Sequence, residues 1–435
     1  MPVAELALLA WAPLVLILSM LAPPRTAILM AVIGGTLFLP IYSFSIPGFI
    51  DYGKVTATSF AAITILLLHR ERFLADIPRL SEMWPALLLA LVPGISILNV
   101  GLPPYAAMSD VVYASLQYSA PFLIGQIAFR CQRSRNQLAA ACILGGLVYV
   151  PLCLFEIRMS PQLHTMVYGF FPHSFAQTFR WGGYRPQVFL NHGLMLGLWM
   201  AIATLISFAF MRWRGGTQKH RRRIQIITAT LFVVCILCKS SGAILLLLAG
   251  LVAVYLCERK GWALPLILLS LAPPAFVAAR TSQIINSEDV APYIEWMPQE
   301  RRDSLLFRLD SEDNLLKAGS GQLLFGRGPY EFLHYQDESG KTQTAIPDSM
   351  WIIWTSRTGV ISVALFFLLL TLPVVQFWRK HGPPDPSSAA SCFNAGLAIA
   401  LTIFSLDCLV NALPHPIYLL MAGSLSCYGR TKRAA

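Results

Sequence analysis

Thirteen apolar runs divide the 435-residue chain, most of them near the length of a bilayer crossing. A hydrocarbon core about 30 Å thick needs roughly 20 consecutive apolar residues when they form a helix. Inside that layer every backbone N–H and C=O needs a partner within the protein, so only helices or closed barrels cross it. The runs are continuous instead of alternating over short strands, which excludes a barrel. The expected fold is an all-α polytopic membrane protein with about 12–13 transmembrane helices and a long, partly helical periplasmic loop. The expected spans are 5–22, 26–43, 55–69, 85–102, 110–129, 137–158, 189–211, 224–238, 241–257, 262–280, 350–376, 391–409 and 413–428.

Charge orients these spans. Only 13% of the residues are charged, against about 25% in a soluble domain. The basic residues cluster at Arg70/Arg72/Arg79, Arg130/Arg133/Arg135, Arg212–Arg223, Arg259/Lys260, Arg379/Lys380 and Arg430/Lys432/Arg433. With thirteen spans, all these clusters fall on one side, which the positive-inside rule makes cytoplasmic. The N-terminus then lies outside and the C-terminus inside. The basic run "RWRGGTQKHRRR" is explained by topology, so no nucleic-acid partner is expected. The first apolar run lacks a basic start and a clear cleavage pattern, and reads as a retained helix.

Four regions follow: N-terminal helices at 1–136, a central membrane region at 137–280 with an outer loop at 159–188, a large outer loop at 281–348, and C-terminal helices at 349–435. The large loop holds twelve acidic residues, so it differs sharply from the basic side. Its stretch "ERRDSLLFRLDSEDNLLKAG" predicts one or two amphipathic helices at the membrane surface, and "FGRGPYEF" predicts a turn. None of the nine cysteines lies in the two outer loops, and Cys235/Cys238 form a CxxC without a second pair, which argues against zinc or redox use. No His/Asp/Glu group has metal-ligand spacing, and neither a phosphate-binding glycine loop nor a nucleophile elbow is present. No metal and no cofactor are expected.

Charges at the outer ends of membrane helices are costly and point to function by default. Arg180, Arg185 and His192 crowd the segment "RWGGYRPQVFLNHG" at the mouth of a helix. Lys239 sits at the tip of a tight helical hairpin, and Arg327 in a glycine-flanked turn. Cations facing one cleft suit a polyanion, because arginine grips phosphate through a bidentate fork and lysine acts as a point charge. Each could instead snorkel to the headgroup layer. Arg308 is a further outer cation. Asp348 reads either as an N-cap or first-turn acid of the following helix, or as a carboxylate that takes a proton from an incoming hydroxyl. Glu312 and Asp313 read either as solvated acids or as an acceptor-binding pair. His192 reads as a hydrogen-bonded structural residue or as a ligand contact. Arg357 and Asp407 read as a buried pair joining two helices, with Asn411 one turn further on.

In their order along the chain these motifs resemble the O-antigen ligase/polymerase-like superfamily of bacterial envelope glycosyltransferases. The resemblance covers roughly residues 137–376. It rests on "RWGGYRPQVFLNHG" before a helix, "KSSGA" at 239–243 where relatives carry an "SRGA"-like hairpin, "LLFGRGPYEF" at 323–332, and the polar entry to "DSMWIIWTSRTGVISVALFF". Two positions depart from the pattern. Asp348 stands where the ligases place their loop histidine, and Lys239 stands near their hairpin arginine. The resemblance implies an inner-membrane enzyme that transfers glycan from a polyprenyl-pyrophosphate donor to a sugar hydroxyl of an acceptor glycan at the periplasmic face. It implies that Arg185, Arg327 and Lys239, with Arg180, stabilise the leaving pyrophosphate and that Asp348 handles the acceptor proton. Its partners would be the lipid-linked glycan, the acceptor and the bilayer. A transporter or flippase for an envelope lipid or solute is the main alternative, although only Arg357, Asp407 and Asn411 offer polarity within the spans. A non-enzymatic assembly protein is a third reading.

Overall fold

The computed structural model describes residues 3–46, 50–336 and 340–426. Arg430, Lys432 and Arg433, and the acids Asp337 and Glu338, lie outside the described residues. The described residues are mainly helical, with three short two-stranded hairpins. Its main helices are α1 Val3–Leu21, α2 Pro24–Phe38, α3 Lys54–Leu68, α4 Leu80–Asn99, α5 104–128, α6 Gln132–Met159, α7 Gly193–Met211, α8 Gln218–Leu237, α9 Ser241–Lys260, α10 Leu264–Thr281, α11 Gln299–Ala318, α12 Met350–Thr358, α13 Val360–His381, α14 Ala389–Asp407 and α15 Pro416–Ser426. Among the described residues eight are individually long and apolar enough to cross a membrane: α1, α4, α6, α7, α9, α10, α13 and α14. The other expected spans fall on shorter or interrupted helices. α2 and α5 each contain a widened π turn, at Met30–Gly34 and Ser115–Ser119, and α8 opens with a basic turn.

α7 is the hub. It packs against α6, α8, α9 and α14 and is buried nearly all round. Small residues make this possible, because helices in lipid gain stability chiefly from close packing. Gly146 faces Ala203 and Gly396 faces Ile206. α5 and α15 approach so closely that a Cβ on Gly125 or Gly423 would overlap backbone of the other helix.

Among the described residues the basic clusters lie at one end of the bundle, tied to neighbouring helix ends. Arg25 donates to Ala128 O at 2.7 Å and pairs with Asp76 at 3.1 Å. Arg130 donates to Asp76 O, Arg135 donates to Asn394, and Arg212 pairs with Glu258. Both outer loops project from the opposite end.

The expected single helix over 350–376 is in fact two. It breaks between Thr358 and Gly359 because the turn segment 323–328 crosses it there. Gly359 has φ +86° and Gly326 φ +71°. A Cβ on Gly359 would overlap Leu324 O, and one on Gly326 would overlap the carbonyl of Arg357. The crossing supplies partners to backbone groups freed at the break: Arg327 N donates to Ser356 O at 2.7 Å, Ser96 Oγ donates to Arg357 O at 2.9 Å, and Val360 N donates to Leu323 O at 2.9 Å. Two further expectations give way here. Arg357 pairs with Asp110 of α5 at 2.9 Å, not with Asp407, whose carboxylate accepts from Asn411 at 2.8 Å. Asp348 precedes the N-cap, which is Ser349.

Gly359→Ala should therefore lower the thermal midpoint of the purified protein steeply, as an overlap with backbone combined with a left-handed residue costs about 2–4 kcal/mol. Gly242→Ala, in open space on α9, is the control. Equal midpoints for the two variants would show that the crossing is not tight.

Candidate anion-binding site

The segment that opens α7 is an ordered hairpin. β3 Phe179–Arg180 pairs with β4 Gly183–Tyr184, and Arg185 N extends the ladder to Thr178 O at 2.6 Å. The two-residue turn Trp181–Gly182 has φ +49° and +69°. That is the geometry of a type I′ turn, which matches the twist of paired strands. A buried carboxylate holds the base of this loop. Glu156, 1% exposed near the end of α6, accepts from Leu163 N at 3.0 Å and from Gln187 N and Val188 N at 2.7 Å each. Val188 is held at φ +54° as a result of the sharp bend that offers both amides.

Arg185 is buried, at 8% exposure. Its side chain lies over Gly193, where a Cβ would overlap it, and its Nη2 donates to Lys239 O at 3.2 Å. Its Nε has no partner. Lys239 occupies the left-handed region, φ +52°, at the tip between α8 and α9. Its Nζ reaches back against the Cα of Gly183, in the hairpin. Ser240 beside it packs on Gly197 of α7, which seats the tip. Arg180 is exposed on β3, close enough that its charge acts on Arg185 and His192. Burial, and then the Arg180 charge, pull the Arg185 pKa below its ordinary value. Among the described residues no carboxylate lies within ion-pair distance of Arg180, Arg185 or Lys239. The cluster is therefore an uncompensated positive site. The crevice beside Arg185 holds only about 10 Å³, too little for a large anion, and is lined by Gln177, Gln187, His192 and Gly193 and by neither Arg180 nor Lys239.

His192 caps α7: its Nδ1 accepts from Leu194 N at 3.0 Å. Its Nε2 meets Gln177 Oε1 at 3.0 Å. Burial first, then His173, Arg185 and Arg180, push its pKa down to about 4. It is a neutral cap at physiological pH.

The other expected site residues gather elsewhere. Arg327 donates to His334 O at 2.5 Å and lines a separate cleft with Asn314, Lys317 and Glu331. Asp348 pairs with Arg308 at 2.9 Å, both half-exposed. Glu312 and Asp313 are neither solvated nor open to a ligand. They are 4% and 5% exposed and neutralise Arg280, itself fully buried. Arg280 Nη2 is 3.1 Å from Glu312, and Nη1 is 2.9 Å from Asp313 Oδ1, out of line for a hydrogen bond. Ser349 Oγ donates to Glu312 at 2.5 Å, and Ser287 N donates to Asp313 at 2.8 Å. Burial raises the Glu312 pKa, against the lowering by Ser349 and Arg280.

Sequence reasoning passed over Glu156 and Arg280. The signal was available for Glu156, the one acid within the run "YVPLCLFEIRM". A comparison with protein-family models finds no match, and a comparison with curated proteins finds none either. The fold itself sets the class: an all-α, multi-pass membrane protein.

Two outcomes follow. Glu156→Gln replaces an acceptor-only group by one that presents N–H to backbone amides, so it should destabilise the 160–192 loop by about 2–4 kcal/mol. Limited proteolysis should cut that loop faster than in the unaltered protein, and equal rates would remove Glu156 from its anchoring role. For His192, the unfolded chain binds a proton below about pH 6.5 that the folded imidazole refuses down to about pH 4. Its contribution to stability is thus present above pH 6.5 and lost as pH falls toward 4. His192→Asn, which keeps a capping acceptor, should flatten the fall in thermal midpoint over that window. Parallel curves for both proteins would refute the linkage.

Proposed function

We propose that the protein is a glycosyltransferase of the bacterial inner membrane, acting at the periplasmic face in surface polysaccharide synthesis. It would transfer glycan from a polyprenyl-pyrophosphate donor to a sugar hydroxyl, as a polymerase or a ligase. The observation that carries this reading is the uncompensated triad Arg180, Arg185 and Lys239 at a helix mouth, at the end of the bundle opposite the basic clusters. A pyrophosphate carried on a lipid is an anion held at that depth, and its charge grows as the glycosidic bond breaks. Preset cations in a poorly hydrated site stabilise that growing charge more than the ground state. Arg185 is pre-organised by Gly193 and by the Lys239 carbonyl, so little reorganisation is needed. The order of motifs along 137–376 supports sugar as the group transferred. In this reading Arg327 serves the acceptor side, with the cleft it shares with Lys317 and Asn314. Asp348, held by Arg308 at the surface, takes the acceptor proton.

Arg185→Ala or Lys239→Ala should reduce polymer in the host by about 10²-fold, the scale seen when one transition-state donor is removed. Arg185→Lys should recover part of it. The assay is gel analysis of envelope glycan at matched protein levels. A lost polymerase leaves single lipid-linked repeats, whereas a lost ligase leaves long chains on the lipid. Unchanged glycan in both alanine variants would end the proposal, and unchanged glycan in Asp348→Asn would remove that residue's role alone.

A further inference from the structure

A second cavity lies beside the cation cluster. It measures about 480 Å³, is partly open, and is bordered by the hairpin β1 Ser43–Phe44 and β2 Tyr52–Gly53, the first turn of α3, α5 and the segment leading into α15. The turn 187–193 separates the two sites: Leu190 and Asn191 line this cavity, while Gln187 and His192 line the Arg185 crevice.

The cavity is lined by polar groups that the protein itself leaves unsatisfied. His415 is 2% exposed, and neither ring nitrogen has a partner. Gln117 is 3% exposed, and its Oε1 has none. Lys54 Nζ donates to Phe189 O at 2.8 Å and has further hydrogen-bonding capacity beyond that bond. Buried polar atoms are nearly always hydrogen-bonded, since an unmade bond leaves the full desolvation cost in place. Several around one ligand-sized space indicate that the partners come from outside the chain. His415 is also fixed in orientation, stacked on Trp199 at 6.0 Å and 6° and flanked by Tyr418 at 4.9 Å.

The lining mixes donors and acceptors. Asp51 also lines it, its carboxylate holding the Ser45 hydroxyl at 2.7 Å, and the rings of Tyr42 and Tyr113 add flat apolar surface. Such a set suits a ligand whose groups both donate and accept, on a ring with an apolar face. We propose that this cavity binds a hydroxyl-rich pyranose unit, with Gln117, His415 and Lys54 reading its hydroxyls. Its assignment to the sugar next to the pyrophosphate rests on the transferase reading, while sugar binding itself does not. His415 recognises a hydroxyl here and is not the base. An imidazolium would sit buried within reach of the Lys54 charge, with no carboxylate in contact.

The test uses the full chain in lipid nanodiscs and saturation-transfer NMR with glucose, galactose, N-acetylglucosamine, rhamnose and glucuronate at millimolar concentration. At least one of them should receive saturation. Its affinity should fall about fivefold or more in Gln117→Leu and in His415→Phe, the loss expected for one hydrogen bond. His415→Phe keeps the stacked ring, and its thermal midpoint without sugar should equal or exceed that of the unaltered protein. A lower midpoint would mean that the imidazole has a structural partner, and would overturn the assignment. So would the absence of binding by all five sugars, or binding that survives both substitutions. The two proposals fail separately. Sugar binding alongside normal glycan in the Arg185→Ala host would sink the transferase and keep the cavity. Lost glycan without sugar binding would do the reverse.

Discussion

One carboxylate organises the outer end of the bundle. Glu156 takes three backbone amides from two separate stretches, 163 and 187–188, and thereby folds the intervening loop back onto α6. Three amide donors return to the buried carboxylate part of the hydrogen bonding it has lost with water. Everything around the cation cluster depends on it. The amides it holds lie two and three residues past Arg185, and Arg185 in turn reaches the tip between α8 and α9.

Charge compensation separates what builds this protein from what equips it. Arg280 is buried completely, but two carboxylates and two backbone carbonyls surround it. It fastens α10 to α11 and, through Glu312 and Ser349, to the start of α12. Arg357 likewise meets Asp110. Such pairs add specificity more than affinity for anything outside. Arg180, Arg185 and Lys239 have no such counterweight, and neither do the nitrogens of His415. The cation cluster and the His415 cavity are two places where charged or polar side chains gather without such balance.

The sequence makes the membrane architecture legible, because hydrocarbon thickness and backbone hydrogen bonding admit few solutions. The expected spans fall on helical segments within a few residues at most ends, with 350–376 split in two and 413–428 described only as far as residue 426. The break at Gly359 was hidden because the run "VISVALFFLLL" continues the apolar pattern, and the turn that forces the break is distant in sequence. The cluster of Arg185, Lys239 and Arg180 was readable from charges at helix mouths on one side. Which charges pair was not. Arg280 finds acids 32 and 33 residues away, and Arg357 finds one 247 residues away. Partner choice of that kind is decided by packing between helices, which periodicity does not encode. Lys54, Gln117 and His415 escaped notice for the same reason. Each is ordinary in its own segment, and only the fold gathers them round one space.

The crossing at Gly359 bears on how the outer loop can move. A lid swings when a free length of chain hangs between two hinges. Here the long segment after α10 is fastened at Arg280, again at Ser349, and once more where Leu323–Arg327 threads the break between α12 and α13. It is sewn down like a seam, with no slack length between α11 and the crossing. The stretch between α11 and the crossing therefore works as a fixed strut that ties two helices together, and not as a hinge.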